Sequence, residues 1–224
     1  MMEKCNYRKD PHQDIDHVFR DLLPAHGMVE RPAQVELSHQ MLDTMLNGSI
    51  ALCDAGTGIG KTYAYLVAGV VFRRYRSRAG LPNQPLLIST SSIALQGAII
   101  HDYLPFLSKV MMADGMLDSP LRAVLRKGKS HYVCDARLMK RLQTANLDRK
   151  NPLAKAALLS MRDHLDLDMA PHLSGYDRER ICVPPTCDCG KTECRYLCYL
   201  DVCASERYAI QVCNHNLLLA DAIH

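Results

Sequence analysis

The segment Ile50-Ala-Leu-Cys-Asp-Ala-Gly-Thr-Gly-Ile-Gly-Lys-Thr62 constrains this chain more than any other. A short apolar run ending in Asp54 predicts a strand. Ala55 to Thr62 then reads as a glycine-rich turn, and the apolar run behind it predicts a helix. Strand, turn and helix start in that order make a phosphate-binding loop. Gly56, Gly58 and Gly60 let the backbone curl with its N–H groups pointing inward, and the new helix adds its positive dipole end. The candidate nucleotide-binding residues are therefore Ala55, Gly56, Thr57, Gly58, Ile59, Gly60, Lys61 and Thr62. Lys61 is placed to reach the β- and γ-phosphates, and the Thr62 hydroxyl to ligate Mg²⁺. The first loop position is Ala55 where the pattern usually has Gly, a common relaxation.

Most of the chain around this loop reads as alternating strand and helix. Residues 1–30 predict a short leader with one amphipathic helix, His17 to Leu23, ended by Pro24 and Gly27. Val35 to Leu46 carries apolar residues at helical spacing, and Asn47-Gly48 stops it. Thr62 to Arg76 is apolar nearly all round, as a helix packed on a sheet must be, with Arg73, Arg74 and Arg76 placed to offset its C-terminal dipole. Pro85 to Thr90 predicts a buried parallel strand, and Ser91 or Ser92 a cap for a helix over Ile93 to Leu107. These elements are the first half of a doubly wound parallel sheet.

Near Met111 strand signals fade. Residues 115–180 are basic and helix-prone, and a cysteine-rich stretch follows them. The division expected is a leader over 1–30, a nucleotide-binding domain over 31–112, a basic and mostly helical insertion over 113–204, and a return to the first domain over 205–224. A net charge of +3 does not by itself indicate a nucleic-acid partner. The polar start, Met1 to Asp14, has no apolar stretch of a secretory signal, and the longest apolar run, Ala64 to Phe72, is too short to span a bilayer. A cytoplasmic protein without a membrane partner is expected.

Ten cysteines are many for such a chain, and six of them lie between Cys182 and Cys203. A reducing compartment favours metal over disulfide for such a cluster. The order is Cys134, then Cys182-x4-Cys187-x-Cys189-x4-Cys194-x3-Cys198-x4-Cys203. Thiolates suit zinc and iron–sulfur clusters alike. A solitary cysteine followed by a long gap and a close set fits a [4Fe–4S] cluster better, while some of these thiols must be ordinary buried ones. Cys5, Cys53 and Cys213 read as structural.

Five features in order resemble the N-terminal part of the XPD-like iron–sulfur superfamily-2 DNA helicases, in particular the DinG and YoaA branch. Arg31-x2-Gln34 stands where that family has its Q-motif. Asp54 to Leu66 is similar to its Walker A block, and Ile88-Ser-Thr90 with Ala94-Leu-Gln96 and Leu104-Pro105 to its motif Ia. Lys127-Gly-Lys-Ser-His-Tyr-Val-Cys134 is similar to the element that supplies the first cluster ligand, and Cys213-Asn214-His215 with Leu217 to Asp221 to the segment after the cluster domain. The resemblance covers residues 31–224.

It implies a partial RecA-like P-loop fold carrying a cysteine-rich iron–sulfur insertion. The implied activity is that of an ATP-dependent 5′-to-3′ DNA helicase of repair or replication, with a CRISPR-associated DinG-like helicase as a variant. It implies ATP contact by Arg31 and Gln34, catalytic roles for Lys61 and Thr62, and DNA contact by Thr90, Gln96 and Lys129. Cys134 would be the first ligand of a [4Fe–4S] cluster. Cys189, Cys194 and Cys198 fit the remaining three with a shortened last interval, and Cys182, Cys187 and Cys194 with a lengthened one; the first set is preferred. The implied partners are single-stranded or forked DNA and a repair, replication or CRISPR protein, with the chain itself monomeric.

Three departures qualify this. Lys129 replaces the family's Arg, losing a planar fork; the second ligand interval is irregular; and no Asp-Glu-Ala-His box occurs in the 224 residues. These residues alone are therefore expected to bind nucleotide without hydrolysing it. An alternative is a metal-containing module that binds nucleic acid or a partner without catalysis. A zinc-containing P-loop ATPase is another, although it leaves the Q-motif spacing to chance.

Overall fold

The computed structural model describes residues 10–147, 151–187 and 194–223, and they form two compact units. One comprises the chain up to Leu125 together with Glu206–Cys213; the other comprises Arg126–Ser205 together with the residues from Asn214 onward.

The first unit is α/β. Helix α1 (Pro11–His17) is capped by Asp10, whose carboxylate accepts the His12 N–H. It runs through a π-helical turn, Val18–Leu22, into α2 (Leu23–Ala25). The amphipathic stretch expected here is real but starts six residues earlier, and Ile15, Val18, Phe19 and Leu23 are core residues. Helix α3 (Pro32–Leu46) starts on Pro32, whose missing N–H costs nothing in a first turn. Helix α4 (Lys61–Arg78) buries Ala64, Leu66, Val67, Ala68, Gly69, Val70 and Val71 along its middle. Gly69 is there for close approach, since a Cβ on it would fall 2.3 Å from Leu86 Cδ1 on the sheet.

Strand β1 (Leu86–Ser89) is followed by α5 (Ile93–Ala98), capped by Ser92, then a π-helical turn, Ile99–Tyr103, and α6 (Leu104–Ala113). Strand β2 (Ala123–Leu125) and strand β3 (Ile210–Cys213) complete a parallel sheet of order β1-β3-β2. Leu86 pairs with Ile210 and Ser89 with Cys213 on one side of β3; Ala123 pairs with Ile210 and Leu125 with Val212 on the other. Every residue of β3 is buried, as a central parallel strand requires.

The sheet differs from expectation in two places. Strand β2 lies where strand signals had faded, because three residues framed by Arg122 and Arg126 are too few to show a pattern. Ile50 to Asp54 forms no strand. Ile50 is 95% and Leu52 99% exposed, and no described strand lies beside them to complete a ladder.

The second unit is mostly helical: α7 (Asp135–Thr144), α8 (Pro152–Ser160), α9 (Gly175–Ile181), α10 (Arg195–Ala204) and α11 (His215–Ile223). One apolar cluster gathers Val133, Leu138, Leu158, Met161, Leu167 and Ile181. A second gathers Tyr132, Cys134, Val183 and Tyr196. Among the described residues no helix is long and apolar enough to cross a membrane.

A charge network closes the second unit. Lys127 Nζ donates to Asp166 at 2.6 Å and Asp168 at 2.8 Å, Arg178 donates to Asp168 at 2.8 Å, and His131 lies 3.1 Å from it. Partial burial alone would raise the Asp168 pKa, but Lys127, Arg178 and His131 hold it well below the usual carboxylate range. A carboxyl group depressed on folding stabilises above its unfolded pKa and loses that contribution as pH falls through the folded value. Asp168→Asn is expected to cost about 1 kcal/mol at pH 7, small because the pair is partly screened by solvent. The gap between variant and parent, followed by urea unfolding, should close as the pH drops below about 4.

Candidate functional site

The glycine-rich loop is held from below by α3. Gln34 is 3% exposed and donates from Nε2 to the Gly60 carbonyl at 2.7 Å, while the Arg31 guanidinium donates to the Gly58 carbonyl. One turn further along, Ser38 Oγ donates to Ala64 O at 3.0 Å. Arg31, Gln34 and Ser38 thus fasten one helix to the loop and to the first turn of the next. The spacing of Arg31 and Gln34 was legible in the sequence. Ser38 was not, because a serine at a helical position normally faces solvent.

Gly60 is where this fastening is tightest. It adopts φ +88°, a left-handed conformation in which an L side chain is strained. A Cβ on it would lie 2.0 Å from Gln34 Nε2. Gly60 also stands at the N-cap of α4 with no side-chain cap, and the first turn of α4 carries no acid. The first N–H groups of α4 therefore have no side chain to accept them and point where an anion binds. Lys61 Nζ donates to Ala55 O at 2.7 Å and Gly56 O at 2.8 Å, which leaves one of its three ammonium donors for a further acceptor. Loop, lysine and bare helix start together present hydrogen-bond donors of the kind that suit an anion.

The other predicted residues fall at the C-terminal end of β1 or in the second unit. The Thr90 N–H donates to Cys213 O at 3.0 Å, continuing the β1–β3 ladder. Thr90 Oγ1 accepts the Ser92 N–H at 3.2 Å, and buried Gln96 donates from Nε2 to Thr90 O at 2.8 Å. Gln96 therefore fixes the turn that presents Thr90. In the second unit Lys129 Nζ donates to Pro185 O at 3.2 Å, and Asn214 caps α11 by accepting the Leu217 N–H at 2.8 Å.

Among the cysteines, Cys134 stands at the N-cap of α7 and Cys194 at the N-cap of α10. Both pack in one cluster with Tyr132, Val183 and Tyr196. The Cys134 N–H donates to Ile181 O at 2.7 Å, which pins its backbone. Tyr132 organises the cluster: its hydroxyl accepts the Lys127 N–H at 3.0 Å and meets the Tyr199 hydroxyl at 3.2 Å. Cys198 is exposed and one turn along α10, with its N–H on Cys194 O at 3.0 Å. Cys189 lies outside the described residues. Cys182 turns elsewhere, its thiol on Glu179 O at 3.4 Å, and Cys203 is buried. Among the described residues, no group of three or more Cys, His, Asp or Glu side chains is close enough to hold a metal.

Several known proteins are similar to this chain. The chain is 30% identical over 144 residues to the "3'-5' exonuclease DinG" of Bacillus subtilis, covering 64% of this chain and 14% of that protein. It is 30% identical over 129 residues to the "ATP-dependent DNA helicase YoaA" of Haemophilus influenzae, covering 58% and 18%. It is 35% identical over 85 residues to the "ATP-dependent DNA helicase DinG" of Photobacterium profundum, covering 38% and 10%. The chain is thus similar to proteins named DinG and YoaA, two of these three named as ATP-dependent DNA helicases. It spans less than a fifth of the length of these relatives. No protein-family model matches it, and no solved structure does.

The clamp on the loop gives a direct test. Gly60→Ala is expected to cost about 2–3 kcal/mol, from the left-handed backbone and the lost Gln34 bond. Gln34→Ala should recover part of that cost in the Gly60→Ala background, because the clash is then gone. Additive losses in a denaturant double-mutant cycle would show that Gln34 and Gly60 do not meet.

Proposed function

We propose that this chain is the nucleotide-binding and cysteine-bearing portion of an ATP-dependent 5′-to-3′ DNA helicase of the DinG and YoaA kind, serving repair, replication or a CRISPR-associated pathway in the cytoplasm. The observation that carries this reading is the grip of Arg31 and Gln34 on the carbonyls of Gly58 and Gly60. A Q-motif and a Walker A loop that touch each other are what a helicase nucleotide site needs, and the homologues supply the helicase context.

In this reading the N–H groups of the loop and of the α4 N-terminus receive the β- and γ-phosphates of ATP. Lys61 turns its remaining donor to them, and Thr62 ligates Mg²⁺. Reading adenine with both ends of the Gln34 carboxamide would exchange its bond to Gly60, which couples base recognition to the shape of the loop. Thr90, steadied by Gln96, and Lys129 contact the backbone of single-stranded or forked DNA, through contacts that weaken steeply with salt. Phosphoryl transfer also needs a second carboxylate on Mg²⁺ and a group that orients water. The 224 residues contain no Asp-Glu-Ala-His sequence to supply them. They are therefore proposed to bind ATP without cleaving it. Lys61→Ala should weaken ATP binding at least tenfold by calorimetry, with no magnesium-dependent phosphate release from the parent chain. Release that vanishes in Lys61→Ala would sink the second half of this reading.

For the metal we propose a [4Fe–4S] cluster on Cys134, Cys189, Cys194 and Cys198. Support comes from Cys134 and Cys194 sharing one packed cluster at the starts of two helices, with Cys198 one turn on. Such a group, when bound, supplies a rigid cross-link among distant parts of the second unit. Anaerobic purification should give a brown protein with about four irons per chain. Cys134→Ser and Cys194→Ser should each remove the colour, and Cys182→Ser should not. A colourless protein with one zinc would instead favour a binding module without catalysis.

A further inference from the structure

At the far end of α4 from the phosphate loop lies a cavity of about 430 Å³ within the first unit. Its walls come from the chain just before each strand: Asn83 before β1, Arg122 before β2 and Arg207 before β3, together with Arg73 and Ser77 on α4. Because the three strands are parallel, these positions share one sheet edge, opposite the edge that carries Thr90. An 18-residue helix is about 27 Å long, so this cavity is a place separate from the Lys61 cradle.

The charges in it are unevenly matched. Arg74 and Arg78 are satisfied by buried Asp14, at 3.2 and 3.0 Å. Arg73 is half-buried and, among the described residues, has only the Gln84 carbonyl as a hydrogen-bond partner, for a guanidinium with five donors. Burial pushes the Arg73 pKa down and Glu206 pulls against it. The Arg122 and Arg207 side chains make no hydrogen bond or ion pair among the described residues. Two acids line the cavity, Asp118 and Glu206, and Glu206 already accepts the Asn83 N–H at 3.0 Å. Three under-used guanidinium groups therefore face one hollow, with Ser77 and Ser119 hydroxyls beside them. Within it Asn83 Oδ1 is buried and has no hydrogen-bond partner among the described residues. A buried acceptor in that state costs free energy until a donor reaches it.

We propose that this cavity binds a phosphate monoester of nucleoside-monophosphate size, apart from the nucleotide of the phosphate loop. Arginine forks and hydroxyl donors match a terminal phosphate. The volume suits a small ligand. Asn83 Oδ1 takes a hydrogen bond from a hydroxyl or amino group of the same molecule. The phosphate belongs either to a free mononucleotide or to the end of a DNA strand.

The test uses the whole chain with Lys61→Ala, so that the phosphate loop is silenced, and AMP as the probe in calorimetry. One AMP per chain is expected, and adenosine, lacking the phosphate, should not bind. Arg122→Gln and Arg207→Gln lie on exposed side chains, and each should weaken AMP at least tenfold while the circular dichroism spectrum stays that of the parent. Asn83→Leu, which removes that acceptor, should also weaken AMP binding. A 5′-phosphorylated oligonucleotide that displaces AMP would assign the site to DNA ends, and one that does not would assign it to free nucleotide. No binding of AMP to Lys61→Ala, or equal binding by the arginine variants and their parent, would overturn the proposal. Neither result touches the reading of the phosphate loop, which rests on Lys61.

Discussion

The contact between Gln34 Nε2 and the Gly60 carbonyl is the joint on which the glycine-rich loop depends. It requires a glycine on one side, since any side chain would occupy the space of the amide, and a buried glutamine on the other. Gly60 is at once the left-handed end of the loop and the start of α4. Fixing it therefore fixes the direction in which the first N–H groups of α4 point. Ser38 extends the same joint by a turn, so α3 acts as a splint along the loop and helix start rather than as a neighbour that happens to pack there.

The second unit is ordered differently. Charges and short antiparallel bridges close it together: Lys127, Asp166, Asp168, Arg178 and His131 tie segments about 40 residues apart, and Tyr132 pairs with Asp166 and Val133 with Cys182 between the same segments. Tyr132 performs the complementary task in the interior, where its ring lies 5.2 Å from Tyr196 and 5.1 Å from Tyr199. Lys127, Tyr132 and Cys134 belong to one short sequence element, and each does a separate job. The lysine anchors the acidic side, the tyrosine fills the core, and the cysteine starts a helix.

Local sequence was enough to read the glycine-rich turn, α3, α4, β1 and the Ser92 cap. Glycine spacing, helical periodicity and capping chemistry are all properties of neighbours in the chain. What it could not show were relations between distant residues. Nothing near Asp14 announces that Arg74 and Arg78 will close on it, and nothing in Ala123 to Leu125 announces a strand, because β2 exists only by pairing with β3. The reverse error, a strand over Ile50 to Asp54, has the same origin: its residue types suit a ladder, but a ladder needs a second strand. Arg31 and Gln34 stood out by their spacing, but their bonds to Gly58 and Gly60, like the company kept by Cys134 and Cys194, emerge only from packing.

The order β1-β3-β2 has a consequence for how the chain reaches its native state. The middle strand of the sheet is the last of the three to be synthesised, and the 80 residues Arg126–Ser205 of the second unit stand between it and β2. Until β3 arrives, β1 and β2 lack the strand that, among the described residues, both of them pair with. Closing a loop of that length in a disordered chain is slow and entropically costly. A second unit that folds first shortens the loop to the distance between its own ends. Whatever stiffens the second unit therefore acts at a distance on the nucleation of the first unit's sheet, with no contact between the two required.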